Sequence, residues 1–346
     1  KKLNMSPKNL SVKTKIPKLL TNKLNNKKII KIYKNFEKNI SIDDNFIVAV
    51  SGGPDSLALA FLAKIYSIKK KILSKFIIID HKLRKESTSE ALVVKKLLKK
   101  YSINAEILTW KGSKPLNNIQ SLARKERYKL LFQRSEKLKI NNILLGHHQE
   151  DLFENFFIRM LRGSGLKGLI SLDRKTNVGN KNLLRPLLNF KKNDLKFISK
   201  YVFNFYIQDP SNENEKYQRT KIRNLFRGLQ KAGLDNRKFL KTLKNLKNSD
   251  KVVNFYVKRN LSDNSFFSKK NNKLVLKKEF FLQPNEIVFR SLSESIRLIG
   301  MKYYSVRGKK LDKIIDNIEN NWLSRATLGG CIIEKVNQTV IITKEH

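Results

Sequence analysis

The feature that most constrains how this chain folds is a short apolar run that leads directly into a turn of small residues. The run, Phe46–Val50, has the length of one buried strand and is far below the ~20 residues of a membrane span. Residues 51–56, Ser-Gly-Gly-Pro-Asp-Ser, follow at once, and a helical pattern occupies 57–66. Glycine and proline end the strand and favour the start of a helix. The segment therefore predicts a strand, a tight turn and a helix in direct succession.

The same alternation of strand and helix continues to residue 161. Further strands are predicted at 76–80, 105–110 and 143–145, and further helices from Ser87, over 119–138 and over 150–161. Ser87 followed by Glu90 also predicts a capping box at the start of one helix. Strands separated by helices of this length predict a parallel sheet with right-handed crossovers, which makes the fold class α/β.

The remaining segments divide the chain into three predicted parts. Residues 1–26 are rich in Lys and Asn and predict a basic arm with little regular structure, whereas 27–39 predict an amphipathic helix. After Gly163 the pattern is mainly helical to about 235. The last part combines helices with short strands, at 285–298, 309–320 and near 330–343. We expect an N-terminal arm and helix (1–40), an α/β domain with a helical extension (41–235) and a smaller C-terminal α+β domain (236–346).

The charge of the chain indicates a polyanionic partner. Seventy-three Lys and Arg residues against 29 Asp and Glu residues give a net charge of +44, far more than solubility requires. Nucleic acid is the partner that such an excess favours. A second explanation stays open, because the chain is also rich in Asn and Ile, as expected if an A/T-biased genome had raised Lys, Asn and Ile together.

Several other protein classes are disfavoured by the sequence. Its apolar runs are too short to span a bilayer, and the N-terminal stretch has no apolar segment of the secretory type. The single cysteine, Cys331, excludes an internal disulfide and a Cys-x-x-Cys zinc or redox site. We expect a cytoplasmic protein without a membrane partner, and the sequence leaves the oligomeric state open, a homodimer included.

The turn at 51–56 has the chemistry of a phosphate-binding loop. Small residues let backbone N–H groups approach an anion, and the start of the following helix adds partial positive charge. The hydroxyls of Ser51 and Ser56 add donors, and Asp55 beside a phosphate is explained if Mg²⁺ lies between them. The Gly-Lys-Ser/Thr of the Walker motif does not follow. An ordinary strand-to-helix turn with a serine cap is the alternative.

This loop resembles that of the pyrophosphatase-loop (PP-loop) ATP enzymes, which adenylate an oxygen atom and release pyrophosphate. The resemblance implies ATP as the cofactor and an adenine nucleotide alpha-hydrolase-like, Rossmann-type domain. It does not identify the acceptor, because tRNA thiolases, GMP synthetases, NAD synthetases and asparagine synthetases share the loop.

Further motifs follow in an order that is specific as a set. They are Asp-His-Lys-Leu-Arg at 80–84, Asn-Ile-Gln-Ser-Leu-Ala-Arg-Lys-Glu-Arg-Tyr at 118–128, Gly-His-His-Gln-Glu-Asp at 146–151, Leu-Arg-Gly-Ser-Gly at 161–165, Leu-Arg-Pro at 184–186, Asp-Pro-Ser-Asn at 209–212 and Tyr-Gln-Arg-Thr-Lys-Ile-Arg-Asn at 217–224. In this order the set is similar to the tRNA(Ile)-lysidine synthetases. The resemblance covers about 46–230 closely and, through Thr-Leu-Gly-Gly-Cys at 327–331, the C-terminal part more loosely.

Two pairs of charged residues are candidate substrate contacts because of their spacing. Arg124 and Arg127 lie near one helix face, as do Asp151 and Glu154 shortly after His147. Most of these motifs follow predicted parallel strands, whose C-terminal ends form the ligand-binding edge of an open α/β sheet. Arginines neutralise phosphate charge, and carboxylates hold a cationic amine or Mg²⁺.

Each candidate also has a structural alternative. The two arginines could form a solvated helix face, and Asp151 and Glu154 could complement a helix N-terminus. His147 and His148 could cap a strand end or, with carboxylates, bind zinc. For the basic residues near 219–223, an RNA-facing role and a solvated face carry equal weight.

The resemblance implies a ligase that forms a carbon–nitrogen bond on isoleucine tRNA with a CAU anticodon. ATP would adenylate the C2 oxygen of the wobble cytidine, and the ε-amine of free lysine, held by Asp151 or Glu154, would displace AMP to give lysidine. The C-terminal domain would bind the tRNA. The implied catalytic residues are Asp55, Arg124, Asp151 and Glu154, the nucleotide-binding residues are Ser51, Gly52, Gly53, Pro54, Asp55, Ser56, Arg124, Arg127 and His147, and Asp55 is the Mg²⁺ ligand.

Two other functions stay open, and one segment departs from the family pattern. A tRNA thiolase would use the same adenylation but generally needs catalytic cysteines, and Cys331 lies far from every motif. A non-catalytic RNA-binding protein would explain the charge alone. The family pattern after the paired histidines has two Asp, then Gln, and later Glu-Thr, whereas Glu150, Leu152 and Asn155 here replace the first Asp, the Gln and the Thr. No role is carried over to those three positions.

Overall fold

A computed structural model of the chain describes residues 17–112, 119–208, 218–268, 273–301, 306 and 308–345. Part of the predicted arm, Asn118 and the motif residues 209–217 lie outside these ranges, as does the side chain of Arg219. The described residues form two compact units. The first contains the chain up to Ser164 and Ser171–Leu229, and the second contains Gly165–Ile170 and the chain from Gln230 onward. None of the helices in these ranges is long and apolar enough to cross a membrane.

The first unit is built on a six-stranded sheet. Its strands are β1 (Phe46–Val50), β2 (Ser74–Asp80), β3 (Ala105–Thr109), β4 (Asn142–Leu144), β5 (Lys175–Val178) and β6 (Lys181–Leu184). Their order across the sheet is β3–β2–β1–β4–β6–β5. The first five strands in that order pair in parallel, so their C-terminal ends form one edge, and β5 pairs antiparallel with β6. This is the mostly parallel sheet that the alternation of elements predicts.

The first two of the described helices precede these strands, and the others lie between and after them. In chain order they are α1 (Lys18–Leu24), α2 (Lys27–Asn39), α3 (Pro54–Lys70), α4 (Ser87–Lys100), α5 (Ile119–Lys137), α6 (Gln149–Met160), α7 (Leu166–Leu169), α8 (Lys192–Phe203), α9 (Gln218–Lys231), α10 (Asn236–Asp263), α11 (Asn285–Ile299) and α12 (Gly308–Glu319). Helices α7, α10, α11 and α12 belong to the second unit. The predicted strands and helices between 46 and 161 are confirmed to within a few residues.

The core of the first unit follows from the apolar pattern of β1 and α3. Phe46, Ile47 and Val48 are fully buried, as expected for a strand in the middle of a parallel sheet. Helix α3 begins with Pro54, which suits the first helical position, and its residues from Leu57 to Ala63 are all buried. Packing on every side of this helix fixes the direction in which its N-terminus points.

The mainly helical pattern predicted after Gly163 is wrong for residues 175–184. These residues form the β5–β6 hairpin, in which Val178 pairs with Lys181 across the two-residue loop Gly179-Asn180. Gly179 has a φ of 58°, a conformation that glycine adopts without strain and that tight hairpin loops require. Each strand has four residues, too few to produce a clear alternating pattern.

Two smaller predictions are also wrong, one at the start of a helix and one for the described part of the arm. Ser87 is the first helical residue and not the cap, and its hydroxyl accepts the backbone N–H of Arg84 at 3.2 Å. Glu90 pairs with the Arg84 guanidinium at 2.7 Å, so the predicted capping box does not form. Within the predicted arm, residues 18–24 form helix α1 because Leu20 is fully buried in the core.

The second unit is a five-stranded antiparallel sheet covered by helices. Its strands are β7 (Ser265–Ser268), β8 (Lys273–Leu276), β9 (Arg325–Leu328), β10 (Cys331–Val336) and β11 (Thr339–Lys344), in the order β7–β8–β11–β10–β9. Its core contains Leu276, Val288, Leu292, Ile333 and Ile342. This is the smaller α+β part that the sequence predicts. The 28-residue helix α10 escaped prediction because few of its side chains, such as Phe239 and Val257, are buried and apolar.

A buried ion pair fastens α10 to α11. The Arg290 guanidinium donates to Asp250 Oδ1 at 2.5 Å and to Glu286 Oε1 at 2.7 Å, and its side chain is only 4% exposed. Asn254 Oδ1 accepts a third, longer bond at 3.4 Å. Removing one partner of a buried pair leaves the other charge desolvated and uncompensated.

We therefore expect Arg290→Met to lower the free energy of unfolding of the second unit by about 3–5 kcal/mol. The matched control is Arg297→Met on the same helix, which removes the more exposed pair with Glu294 and should cost less than about 1 kcal/mol. Urea unfolding followed by circular dichroism measures both variants. Equal losses in the two variants would contradict a structural role for the buried pair.

Candidate active site

The turn at 51–56 is organised by the hydroxyl of Ser56. That hydroxyl accepts the backbone N–H of Ser51 at 3.1 Å and lies 3.0 Å from the carbonyl oxygen of Gly53, to which it donates. The Ser51 hydroxyl donates to the hydroxyl oxygen of Ser56 at 3.1 Å. Ser56 therefore holds the turn closed, while the backbone N–H groups at the start of α3 point out of the helix end, where an anion binds.

Glycine allows a close approach at two places around this turn. Gly52 has a φ of 83°, and a Cβ there would lie 2.6 Å from Ile207 and 2.7 Å from Val94. Its carbonyl also accepts the N–H of Ile207 at 2.9 Å. A Cβ on Gly146, just beyond β4, would lie 3.3 Å from the backbone of Asp55 and Ser56. The ends of β1 and β4 thus meet without any side chain between them.

His148 links two acidic residues across this junction. Its Nδ1 accepts the backbone N–H of Glu150 at 3.2 Å, so the other ring nitrogen, Nε2, faces the acidic residues. Nε2 lies 3.6 Å from Asp55 Oδ2 and 3.7 Å from Asp151 Oδ2. The same Asp151 oxygen accepts the backbone N–H of His148 at 2.8 Å, which completes a capping box on α6. His148 therefore caps the start of helix α6 and not a strand end, and of the two carboxylates Asp151 is the one at the helix N-terminus.

Asp55 is held in an environment that disfavours its charge. Burial raises the pKa of Asp55, and the nearby Asp151 raises it further, while His148 lowers it. Its Oδ1 is buried and has no hydrogen-bond partner among the described residues. A carboxylate in this condition is stabilised by any cation that reaches it.

Glu154 lies one turn further along α6 and is fixed by α9. Its Oε1 accepts from Arg223 Nε at 2.5 Å, and the glutamate side chain is 7% exposed. Phe153 stacks on Phe226 with ring centroids 4.4 Å apart, so the same two helices also pack through aromatic rings. The second oxygen, Oε2, is buried and has no hydrogen-bond partner in the described part of the chain.

Arginine side chains gather around Tyr128 of α5. Arg124 donates to the Tyr128 hydroxyl at 3.1 Å, and its guanidinium lies over the ring, 5.1 Å from the centroid. Arg185, directly after β6, is buried and donates to the carbonyl of Asp173 and the hydroxyl of Thr176. Burial lowers the pKa of Arg185, and the neighbouring Arg124 lowers it too, so this cluster favours an anion.

Arg127 is positioned by the histidine that follows β2. Its Nε donates to His81 Nε2 at 3.3 Å, which requires a neutral His81 ring. Burial, followed by the charge of Arg127, lowers the pKa of His81 to about 4. His81 is therefore neutral near pH 7 and orients the guanidinium without repelling it.

The structure brings most of the predicted residues to one edge of the sheet. Four parallel strands are each followed by a residue or turn of the site: the turn at 51–56, His81, His147 and Arg185. The C-terminal ends of these strands form one edge of the sheet, as expected. His81 and Arg185 were not among the predicted site residues, although their positions after strands were a usable signal. Arg223, predicted to be either RNA-facing or solvated, is instead paired with Glu154, and no local pattern signals a contact across 69 residues.

Comparisons with known proteins match this chain to one family of domains and to one group of enzymes. The sequence profile of the PP-loop domain family matches residues 22–229. A tRNA(Ile)-lysidine synthase of Wolbachia sp. subsp. Brugia malayi (strain TRS) is 31% identical over 301 residues, which are 86% of this chain and 70% of that protein. A tRNA(Ile)-lysidine synthase of Orientia tsutsugamushi (strain Boryong) is 34% identical over 327 residues, which are 90% of this chain and 71% of that protein.

A solved structure shares the fold. The U34-tRNA thiolase NcsA from Methanococcus maripaludis, with its [4Fe-4S] cluster, superposes with a TM-score of 0.53 at 19% identity. The match covers 63% of this chain and 80% of that one. At this identity the likeness concerns the fold alone.

The close approach at Gly52 generates a testable prediction. Gly52→Ala should destabilise the first unit by about 1–3 kcal/mol, because alanine at this φ is strained and its Cβ meets Ile207 and Val94. Gly53→Ala is the matched control, since its φ is −70° and a Cβ there would meet nothing closer than 3.8 Å. Thermal melts compare the two, and a Gly53→Ala loss as large as that of Gly52→Ala would show that crowding at Gly52 is unimportant.

Proposed function

The chain belongs to the tRNA(Ile)-lysidine synthases, a family with a PP-loop ATP-binding domain, and on that basis we propose how its residues carry out the ligation. The reaction joins lysine to C2 of the wobble cytidine of the CAU-anticodon isoleucine tRNA. ATP is consumed, and lysidine, AMP and pyrophosphate are formed. The observation that carries this proposal is the set of phosphate-binding and acidic groups that four parallel strand ends bring to one edge of the sheet.

The chemistry divides into two steps. In the first, the C2 oxygen of the cytidine attacks the α-phosphorus of ATP; an O–P bond forms, the α–β phosphoanhydride bond breaks and pyrophosphate leaves. In the second, the lysine ε-amine attacks C2, the C2–O bond breaks and AMP leaves. The amine has an ordinary pKa of ~10.4, so it must lose a proton before or during the attack.

The turn at 51–56 binds the phosphates of ATP in this proposal. The backbone N–H groups at the start of α3 point to the anion, and Ser56 keeps the turn in shape through its bonds to Ser51 and Gly53. Arg124 and Arg127 neutralise phosphate charge as the α–β bond breaks. His81 and Tyr128 hold the two guanidinium groups in place.

Asp55 is the residue that suits Mg²⁺. Mg²⁺ is commonly bound by one or two carboxylates together with substrate phosphates, and the described residues contain no cluster of three or more metal-ligating side chains. The buried, unpartnered Oδ1 of Asp55 fits a site completed by the phosphates of ATP. Bound there, Mg²⁺ would neutralise charge on the phosphates.

Glu154 and Asp151 are the proposed contacts of the lysine ammonium. Glu154 Oε1 accepts a hydrogen bond from Arg223. Its other oxygen, Oε2, has no hydrogen-bond partner among the described residues and is available to a cation. Asp151 lies one helical turn away, and its Oδ2 accepts the backbone N–H of His148 at the N-terminus of α6. Either carboxylate could also receive the proton that the amine loses. We also infer a cytoplasmic location, because tRNA, ATP and free lysine occur together in that compartment.

One incubation separates the proposed reaction from its alternatives. The protein is mixed with ATP, the CAU-anticodon tRNA and either labelled lysine or a sulfur donor. Transfer of lysine supports the ligase, transfer of sulfur supports a thiolase, and transfer of neither supports a non-catalytic RNA-binding protein. The chain is poorly equipped for cysteine-based sulfur transfer, because its one cysteine, Cys331, is fully buried in the second unit.

Asp55→Asn tests the metal role. We expect tRNA-dependent pyrophosphate release to fall about 100- to 1,000-fold, which is the usual loss when one stabilising group at a reacting phosphate is removed. The fold should survive, because the substitution removes a charge that burial already disfavours. Asp43→Asn is the control, since that carboxylate is exposed and pairs with Lys70 on the surface. Unchanged pyrophosphate release in Asp55→Asn would exclude the role.

Glu154→Gln and Asp151→Asn test the lysine site. Each should raise the KM for lysine about 10- to 150-fold, the effect of losing one charge-assisted hydrogen bond to an ammonium group. The KM for ATP should change little, because ATP depends on the turn at 51–56 and the arginines. The melting temperature should fall in either case, because Glu154 pairs with Arg223 and Asp151 caps α6. Equal and slight changes in both KM values would show that the carboxylates act only within the fold.

A further inference from the structure

The outward side of helix α10 carries a row of six cations and one aromatic residue. We call this row the outer face of α10, and its members are Arg237, Lys241, Lys244, Lys251, Phe255, Lys258 and Arg259, all of them exposed. Their successive intervals are three, four or seven residues, with Arg259 directly after Lys258, and these intervals place them on one side of the helix. At a rise of 1.5 Å per residue, the row is about 33 Å long.

The acidic residue that could interrupt this row is turned away from it. Between Arg237 and Arg259 the helix has one carboxylate, Asp250, whose side chain is 15% exposed. It points to α11 and pairs there with the buried Arg290. At the end of the row, Asp263 pairs with Arg259. The outer face therefore has a single sign of charge over most of its length.

Apolar side chains are exposed both on the middle of the outer face, at Phe255, and beside it, at Val252 and Tyr256. Phe255 is 62% exposed, Val252 is 57% exposed and Tyr256 is 48% exposed. The rings of Phe255 and Tyr256 meet edge to face with centroids 5.4 Å apart. Apolar side chains in such a group are costly to leave in water and mark an interaction surface more often than a free one.

A ring surrounded by cations matches one chemical class of partner. Lysine and arginine bind phosphates, and an exposed aromatic ring stacks on any unpaired base, so the two together are the pattern of a single-stranded nucleic-acid contact. A compositional excess of lysine explains exposed cations anywhere on the chain, but it does not explain why the one acid of this segment is buried against Arg290 or why Phe255 is outside.

We propose that the outer face of α10 is an RNA-binding surface of this protein, on which the cations contact consecutive phosphates and Phe255 stacks on an unpaired base of the tRNA. The proposal rests on the proposed function, which makes the CAU-anticodon tRNA the RNA in question. It assigns RNA binding to named residues of the second unit, none of which belongs to the proposed reaction.

The experiment measures the affinity of the full chain for a fluorescently labelled transcript of that tRNA by anisotropy. Phe255→Leu should weaken binding about 5- to 150-fold, the range seen when one stacking ring is lost, while Phe255→Trp should bind like the parent. Lysidine formation by the parent protein is measured in parallel. If the parent forms no lysidine, the proposed function fails; the binding comparison tests the outer face by itself.

The charges are tested through salt dependence. Lys241→Gln, Lys244→Gln and Lys251→Gln together should make the slope of log affinity against log salt shallower by about 2–3, since each lost phosphate contact contributes about 0.7–0.9. The matched control removes three exposed lysines of α4, Lys95, Lys96 and Lys99, which lowers the net charge equally. The control slope should stay near that of the parent.

Three results would overturn the proposal. The first is unchanged affinity in Phe255→Leu together with equal slopes in the two lysine triples. The second is a dimer of the parent, seen by sedimentation, that Phe255→Leu dissociates, because the face would then bind a second copy. The third is Phe255-dependent binding to anionic phosphatidylserine vesicles with no change in tRNA affinity.

Discussion

The first unit depends on the close approach of backbone segments around residues 51–56. Gly52 fits beneath Ile207 and Val94, and Gly146 lies against the backbone of Asp55 and Ser56, in both places because no Cβ intervenes. The carbonyl of Pro54 accepts the hydroxyl of Ser199 at 2.6 Å, which ties the same turn to α8. The turn is therefore fixed from three sides by the protein itself. Donors held in this way need little rearrangement when an anion binds, which is what makes them effective.

Features that depend on neighbours in sequence could be predicted, whereas those that depend on distant partners could not. The turn at 51–56 and the strand ends follow from local residue types, so the sheet and its ligand-binding edge were predictable. Ser87 and Glu90 have the residue types of a capping box, yet Arg84 competes for both, and the box forms instead at His148 and Asp151. A local pattern shows that residues suited to a capping box are present. It does not show whether another residue lies nearer in space and takes their hydrogen bonds.

The contacts of charged residues were the hardest part to predict, because the sequence offers each carboxylate many cations. Arg223 reaches Glu154 across 69 residues, and Arg290 reaches Asp250 across 40. Neither pair has a periodic signal, since both join different helices. The consequences differ: the first pair positions a site residue, whereas the second stabilises the packing of α10 and leaves its outward side cationic. Some of the many lysine and arginine residues therefore stabilise the fold, whereas others face solvent.

Because the chain has so many cationic side chains, a buried carboxylate oxygen that pairs with none of them is informative. The chain has 73 Lys and Arg residues for 29 Asp and Glu residues, so a buried carboxylate oxygen has many potential partners during folding. Among the described residues, two such oxygens have no hydrogen-bond partner, Asp55 Oδ1 and Glu154 Oε2. Both belong to the candidate active site. A buried acceptor without a donor costs stability, and its retention is explained when an external cation binds it. The proposed reaction has two such cations, Mg²⁺ with ATP and the lysine ammonium, and the two oxygens match them in number and in charge.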